Sequence, residues 1–313
     1  MIVEQSKQII AEIEKAFIGK REIVEKVLMT IYAGGHVLLE DCPGVGKTTL
    51  ALAFSRVLGL DHKRIQFTTD TLPSDITGFS VWNRETRRFD YRDGAANCQL
   101  LLADEINRTS PKTQSALLEV MEEHTITVDG VTRPLPTPFV CIAAQNPLGS
   151  SGIQPLPESQ LDRFMVRLTI GYPTLENQMK ILSAQRYHNP LRDLRAVTDA
   201  GNILEVQEYL SSIRAADPVL AYAIRLCKAT RSHPPGGTGH LSPGHLRAGE
   251  DGSGLRRPPR AELCRPGGCA GGLCRRVRHR LVLRPQARVD GVSTREPLTG
   301  ILAEVRPETG AER

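Results

Sequence analysis

The chain has 313 residues, 40% hydrophobic and 24% charged, a balance that suits a soluble globular protein with one large or two ordinary cores. No apolar run approaches the roughly 18 residues of a membrane-spanning helix, which excludes a helical membrane protein. The formal charge of +5 would suit nucleic acid, but much of the excess lies after Gly236 and carries little weight.

The first segment, MIVEQSKQIIAEIEKAF, reads as an amphipathic helix rather than a signal peptide, so a cytoplasmic location is the default expectation. Leu38 to Leu50 then read LLEDCPGVGKTTL: an apolar strand, a glycine turn ending in Lys-Thr, and a helix. That layout leaves backbone N–H groups unpaired at a helix N-terminus, where the helix dipole also favours an anion. Gly44 and Gly46 permit backbone angles and a close approach that a Cβ would block. Lys47 has the reach for β- and γ-phosphates, and the Thr48 hydroxyl suits Mg²⁺. The candidate phosphate cradle is Asp41, Cys42, Pro43, Gly44, Val45, Gly46, Lys47, Thr48 and Thr49, with Asp41 standing where the general GxxxxGK[ST] pattern has glycine.

Residues 77–82 (TGFSVW), the polar turn 83–87 and residues 88–91 (RFDY) predict a hairpin in which Phe79, Val81, Phe89 and Tyr91 share one period-2 pattern. The run Gln99–Ala103 predicts a buried parallel strand whose carboxyl end carries Asp104 and Glu105. After a P-loop the pair reads as a Walker B, with Asp104 on Mg²⁺ and Glu105 polarising the attacking water; alone it would be a solvated strand end. A helix over 110–123 opens with a Ser cap and Pro, and its Ala116, Leu117, Val120 and Met121 are expected to pack on the sheet. Thr125–Val128, Asp129-Gly130 and Val131-Thr132 predict a second hairpin. Either hairpin is a candidate client contact or simple edge decoration. The apolar run Phe139–Ala144 ends in Gln145-Asn146, and Asn146 is the candidate sensor of the lytic water. Arg163, near the end of a predicted helix, is a candidate for action in trans on a neighbour's γ-phosphate; the alternative is an ion pair with Asp162 or Glu158.

The segments LLEDCPGVGKTTL, RIQFTTDTLPSDITGF, LLADEINRTSPKTQSALLEVMEE, AAQNP and PLPESQLDRF resemble the MoxR family of AAA+ ATPases over about residues 15 to 234. Asp41 is common in that family, so the departure from the general pattern does not count against nucleotide binding. The resemblance implies an αβα core with a parallel sheet over 1–172 and a small helical lid over 173–313. It implies ATP and Mg²⁺ as ligands and a homo-oligomeric ring, expected as a hexamer. It also implies chaperone-like remodelling or activation of protein clients, often ones with a von Willebrand factor A domain. The first hairpin resembles the helix-2 insert that this clade projects toward the ring pore.

A helix from Leu175 to about Arg186 fits the start of the lid, and residues 217–231 predict another. After Pro234 the character changes: residues 235–278 are dense in Gly, Pro, Arg and Cys, without helix or strand period. Cys264, Cys269 and Cys274 have four-residue gaps unlike the CxxC pairs of zinc sites, even with His279 as a fourth ligand. A frameshift accounts for the stretch. Codon choices for PGGTGHLSPGHLRAGEDGSG, read from the second base, spell LVxLGTSPRATFALVKTAQ, similar to the family's continuation. The same shift over AELCRPGGCAGGLC allows YVVPEDVQAVFA, and resemblance resumes from Arg280 to Glu304. The hidden frame would hold the SPRA arginine that resembles the lid's second sensor, and the lid as written is expected to be disrupted. Two rivals follow: a nucleotide-binding protein with little or no turnover, and a nucleic-acid motor. The second is disfavoured because the core shows no basic stripe interleaved with aromatics.

Overall fold

The computed structural model describes residues 2–146, 154–187, 189–213 and 295–305, together with 221, 222, 224–226, 228 and 229. Two compact units divide the chain, 4–206 and 207–313, the latter with the first three residues.

The larger unit is built on five parallel strands in the order β2-β5-β8-β1-β9. These are β1 (Val37–Glu40), β2 (His62–Gln66), β5 (Leu100–Asp104), β8 (Val140–Gln145) and β9 (Val166–Leu168). The central strands β5, β8 and β1 are near-continuous apolar runs because both faces of the sheet are covered. The edge strand β2 reads HKRIQ, with exposure falling on alternate residues. Connections run through α3 (Lys47–Val57), α4 (Pro73–Thr77) and α5 (Pro111–Glu123), while α1 (Ile2–Glu14) and α2 (Arg21–Tyr32) bury Ile9, Ile10, Ile13, Val24, Val27, Leu28 and Ile31. The parallel αβα architecture expected from the sequence is what the chain adopts.

Ser110 caps α5 by accepting from the Thr113 N–H at 3.3 Å, with Pro111 in the first turn. Leu117, Leu118, Val120 and Met121 are buried in the main core, and Ala116 packs against it. The helix stops at His124, where φ is 53°.

Two antiparallel hairpins project from this frame. In the second, β6 (Thr125–Val128) and β7 (Val131–Pro134) are joined by Asp129 and Gly130, both at positive φ, the turn that Asp-Gly predicts. The first is β3 (Phe79–Asn83) with β4 (Arg88–Arg92). Its register corrects the one-face expectation. Residues directly opposite in an antiparallel pair share a face, and Trp82 faces Phe89 while Phe79 faces Arg92 and Val81 faces Asp90. Phe79 and Val81 therefore lie on one face, and Trp82, Phe89 and Tyr91 on the other.

In the segment expected to form a lid, α7 (Leu175–Tyr187) begins just past residue 172, and the larger unit continues through it to Val206, within α8 (Ala200–Ser211). Residues 221, 222, 224–226, 228 and 229 are helical, as expected for 217–231, and Arg295–Glu304 forms a helix. The proposed out-of-frame stretch 235–278, Cys264, Cys269, Cys274 and His279 lie outside the described residues.

Candidate functional site

All five strands are parallel, so their carboxyl ends share one edge, where open α/β sheets bind ligands. The turn after β1 holds Gly44 at φ 86° and Gly46 at φ 96°, angles that L side chains rarely adopt. Gly46 is also the N-cap of α3, and a Cβ there would come within 3.2 Å of the Phe17 ring. Within the turn Pro43 and Gly44 are exposed, Cys42 is a half-buried free thiol, and Val45 is buried. Lys47 is buried, and its ammonium donates to the Asp41 carbonyl at 2.8 Å, lying back across the turn that it closes. Thr48 and Thr49 follow in the first turn of α3, both half-buried. This is a cradle of N–H groups at a helix N-terminus with a buried cation at its mouth, and it fits a polyphosphate.

Asp41 takes an unexpected part. Its backbone N–H continues the β1–β8 ladder by donating to Gln145 O at 3.1 Å. Its buried carboxylate accepts from the Ile170 N–H and, at 3.0 Å, from the Gly171 N–H. The side chain thus ties the start of the P-loop to the segment leaving β9. Chain separation of 129 residues hid this partner from sequence reading.

Strand β8 lies between the P-loop strand and β5, which puts Gln145-Asn146 between the cradle and the Asp104-Glu105 end. Both acidic groups are engaged by arginines of their own chain. Arg64 on β2 reaches Asp104 at 3.0 Å, and Arg108 reaches Glu105 at 2.8 Å. The arginines are about half exposed, so each pair is easily exchanged for another partner. Glu105 itself sits at φ 58°, a left-handed conformation for a non-glycine residue. The following 3-10 turn, Ile106–Arg108, holds a buried Asn107 whose side-chain amide donates to the Asn146 carbonyl at 2.9 Å. Among the described residues no three His, Cys, Asp or Glu groups converge as a metal cage. Asp104 with Thr48 is the partial set that suits Mg²⁺ arriving with phosphate oxygens.

Arg163 follows the single turn α6 (Glu158–Leu161), and its guanidinium donates to Glu122 of α5 at 2.7 Å. The pair is exposed, and with Gln160, Glu119, Glu123 and Thr127 it lines a surface groove of about 600 Å³. The sequence named Arg163 but not Glu122. Arg64 was likewise missed, as was the work of Asn107 and Arg108, although both stand inside the quoted LADEINR segment. A further cavity of about 340 Å³ lies against Thr49 and is lined by Ala16, Ile18, Ile181, Ala184 and Leu191.

A five-stranded parallel core with a P-loop, an acidic pair and an amide-bearing strand between them defines a P-loop nucleotide-binding protein of the AAA+ type. Residues 36–166 match the family of ATPases associated with various cellular activities. The chain is 39% identical over 297 residues to the uncharacterised protein YeaC of Bacillus subtilis, covering 95% of this chain and 93% of that one. It is 38% identical to the chaperone MoxR1 of Mycobacterium tuberculosis over 229 residues, 73% of this chain and 60% of the relative. A solved structure of a candidate ATPase from Cytophaga hutchinsonii superposes with a TM-score of 0.86 at 29% identity, covering 97% and 95% of the two chains. The chain belongs to the MoxR family of AAA+ ATPases.

Proposed function

We propose that the chain binds ATP with Mg²⁺ and hydrolyses it to drive conformational change in a partner protein, working as a homo-oligomeric ring, a hexamer. The observation that carries the reading is the order of the sheet, in which the end of β8 stands between the P-loop and the acidic end of β5. Bound Mg–ATP supplies the polarised phosphoryl group. The residues do the rest. N–H groups of the 42–48 turn hold the phosphates, Lys47 turns from the Asp41 carbonyl to neutralise them, and Thr48 and Asp104 hold the metal. Glu105, released from Arg108, orients the water and takes its proton, and Asn146 fixes that water's position. Arg163 leaves Glu122 to meet the γ-phosphate bound by a neighbouring copy. The cavity beside Thr49, lined by Ile18, Ile181 and Leu191, suits a nucleobase. A client with a von Willebrand factor A domain and a cytoplasmic location extend the family reading to this chain.

The test is steady-state ATP turnover of the chain as it stands, beside Glu105→Gln and beside a version with the reading frame restored between Pro235 and Arg278. Turnover is expected to fall by about 10²-fold or more in Glu105→Gln with nucleotide affinity retained. Turnover only in the restored version would leave the chain as written a binder that does not cycle. Turnover indifferent to Glu105→Gln in both versions would sink the assignment of the base.

A further inference from the structure

The hairpin of β3 and β4 contributes nothing to the core. From Phe79 to Asp93 no residue is buried, and Phe79, Val81, Trp82 and Phe89 are 50%, 42%, 50% and 68% exposed. A two-stranded ribbon with no covered face has little reason to hold together in water. This one is clamped at its root. The Tyr91 hydroxyl donates to Thr77 O, and the Ala95 and Ala96 N–H groups donate to Asp75 O and Ile76 O at 2.8 and 3.0 Å. Arg133 on β7 lies 4.0 Å over the Tyr91 ring. The structure thus anchors the ribbon firmly and leaves its length bare, which is how contact elements differ from core elements.

Its charge and its backbone say what it fits. Arg84, Arg87, Arg88 and Arg92 stand against Glu85, Asp90 and Asp93, with three of the arginines gathered at the tip, and Asp90 accepts from the Asn83 side chain at 2.7 Å. Among the described residues β3 and β4 form a sheet of two strands, so each has an outer edge of backbone donors and acceptors without a strand partner there. We propose that this hairpin docks an extended, acidic segment of a partner protein, which adds as a third strand along an open edge. Alternate side chains of that segment pack on Trp82 and Phe89, and its carboxylates meet Arg84, Arg87 and Arg88. This names the kind of segment recognised in the proposed remodelling, and it rests on that reading only for its biological sense. Single-stranded nucleic acid fits less well. Trp82 and Phe89 are packed edge to face against each other at 5.1 Å and Arg133 covers Tyr91, so the ribbon offers no run of free ring faces for successive bases.

Trp82 is the only tryptophan in the chain, so its emission reports the hairpin directly. The full chain is titrated with a peptide of about ten residues that alternates glutamate with valine and threonine, long enough to cover one strand edge. Three controls accompany it: lysine in place of glutamate, alternate backbone amides N-methylated, and oligothymidylate. A saturable, salt-sensitive change with the acidic peptide is expected. The lysine version should give none, and N-methylation should weaken binding by about tenfold. The triple change Arg84→Glu, Arg87→Glu and Arg88→Glu should also weaken it by about tenfold or more. No residue of the hairpin is buried, so the triple variant keeps its fold, checked by far-UV circular dichroism. Equal responses to both peptides, tighter saturation by oligothymidylate, or undiminished binding by the triple variant would overturn the proposal. Peptide binding without ATP turnover leaves the docking surface standing and removes the hydrolysis reading; turnover without peptide binding does the reverse.

Discussion

Protonating one buried histidine should loosen the sheet that carries the P-loop. His36, just before β1, is buried, and its Nδ1 accepts from the Cys141 N–H at 3.1 Å. Its other nitrogen, Nε2, therefore carries the hydrogen and donates to the Met121 carbonyl at 3.0 Å. The ring is neutral and joins β1, α5 and β8 in one place. Burial depresses its pKa from 6.5 to about 4; the Met121 carbonyl opposes that shift, and His124, with ring centroids 5.9 Å apart, adds to it. Because the folded value lies below the unfolded one, the unfolded chain takes up the proton first as pH falls. The stabilisation is complete above pH 6.5 and is lost as pH drops through about 4. A gap of about 2.5 units, at 1.36 kcal/mol each, makes the difference about 3 kcal/mol between neutral pH and pH 4. Urea unfolding of the whole chain, followed by far-UV circular dichroism from pH 7.5 to 4.5, is compared with that of His36→Gln. The variant starts less stable but should show a shallower pH slope, by up to one proton. Parallel slopes in the two proteins would refute the reasoning, because the other titrating groups are common to both.

Asp41→Gly restores the general P-loop pattern yet should lower stability by about 2–5 kcal/mol, since the Ile170 and Gly171 N–H groups lose their buried acceptor; an unchanged urea midpoint would show the tie to be idle. Arg163→Ala should cut turnover by about 10³-fold with nucleotide affinity unaltered if the arginine acts on a neighbour. If it serves only its exposed pair with Glu122, turnover stays and stability moves by less than about 1 kcal/mol. Gly94→Ala would put a Cβ 2.2 Å from Ile76 O and 2.4 Å from the Gly78 nitrogen, both backbone atoms that no rotamer change can move. A cost of about 1–3 kcal/mol and faster tryptic cleavage among Arg84, Arg87 and Arg88 are expected, and an unaltered digestion rate would contradict the clamped root.

What the sequence disclosed follows from how each residue is held. β5 and β8 were legible because strands covered on both faces must be apolar runs, and the Lys47 turn because glycine at positive φ leaves a local signature. β2 was not, since an edge strand reading His-Lys-Arg-Ile-Gln carries little apolar pattern, and β9 has only three residues to show one. The helix α2 went unread although Ile23, Val24, Val27, Leu28 and Ile31 carry its period. Around the site, the placement of Asp104 and Glu105 at the carboxyl end of β5 was readable because the apolar run before them is local. Partners across the chain were not: Asp41 with Ile170, Arg163 with Glu122, Arg64 with Asp104. No periodicity records a contact between residues 40 or more positions apart. The opposite faces of the first hairpin were misread for a related reason, because register depends on turn length and not on alternation alone.

The backbone of Glu105 has a consequence for how such a protein withstands heat. Holding a branched-off carboxylate residue at φ 58° costs about 1–2 kcal/mol that glycine or asparagine would not incur. Selection for thermal endurance alone, blind to turnover, would favour replacement at this position and so remove the base proposed for hydrolysis. Arg87, His124 and Asp129 share such angles without a proposed role in hydrolysis, so a screen of stabilised variants should find Glu105 the position of the four where endurance and turnover part company.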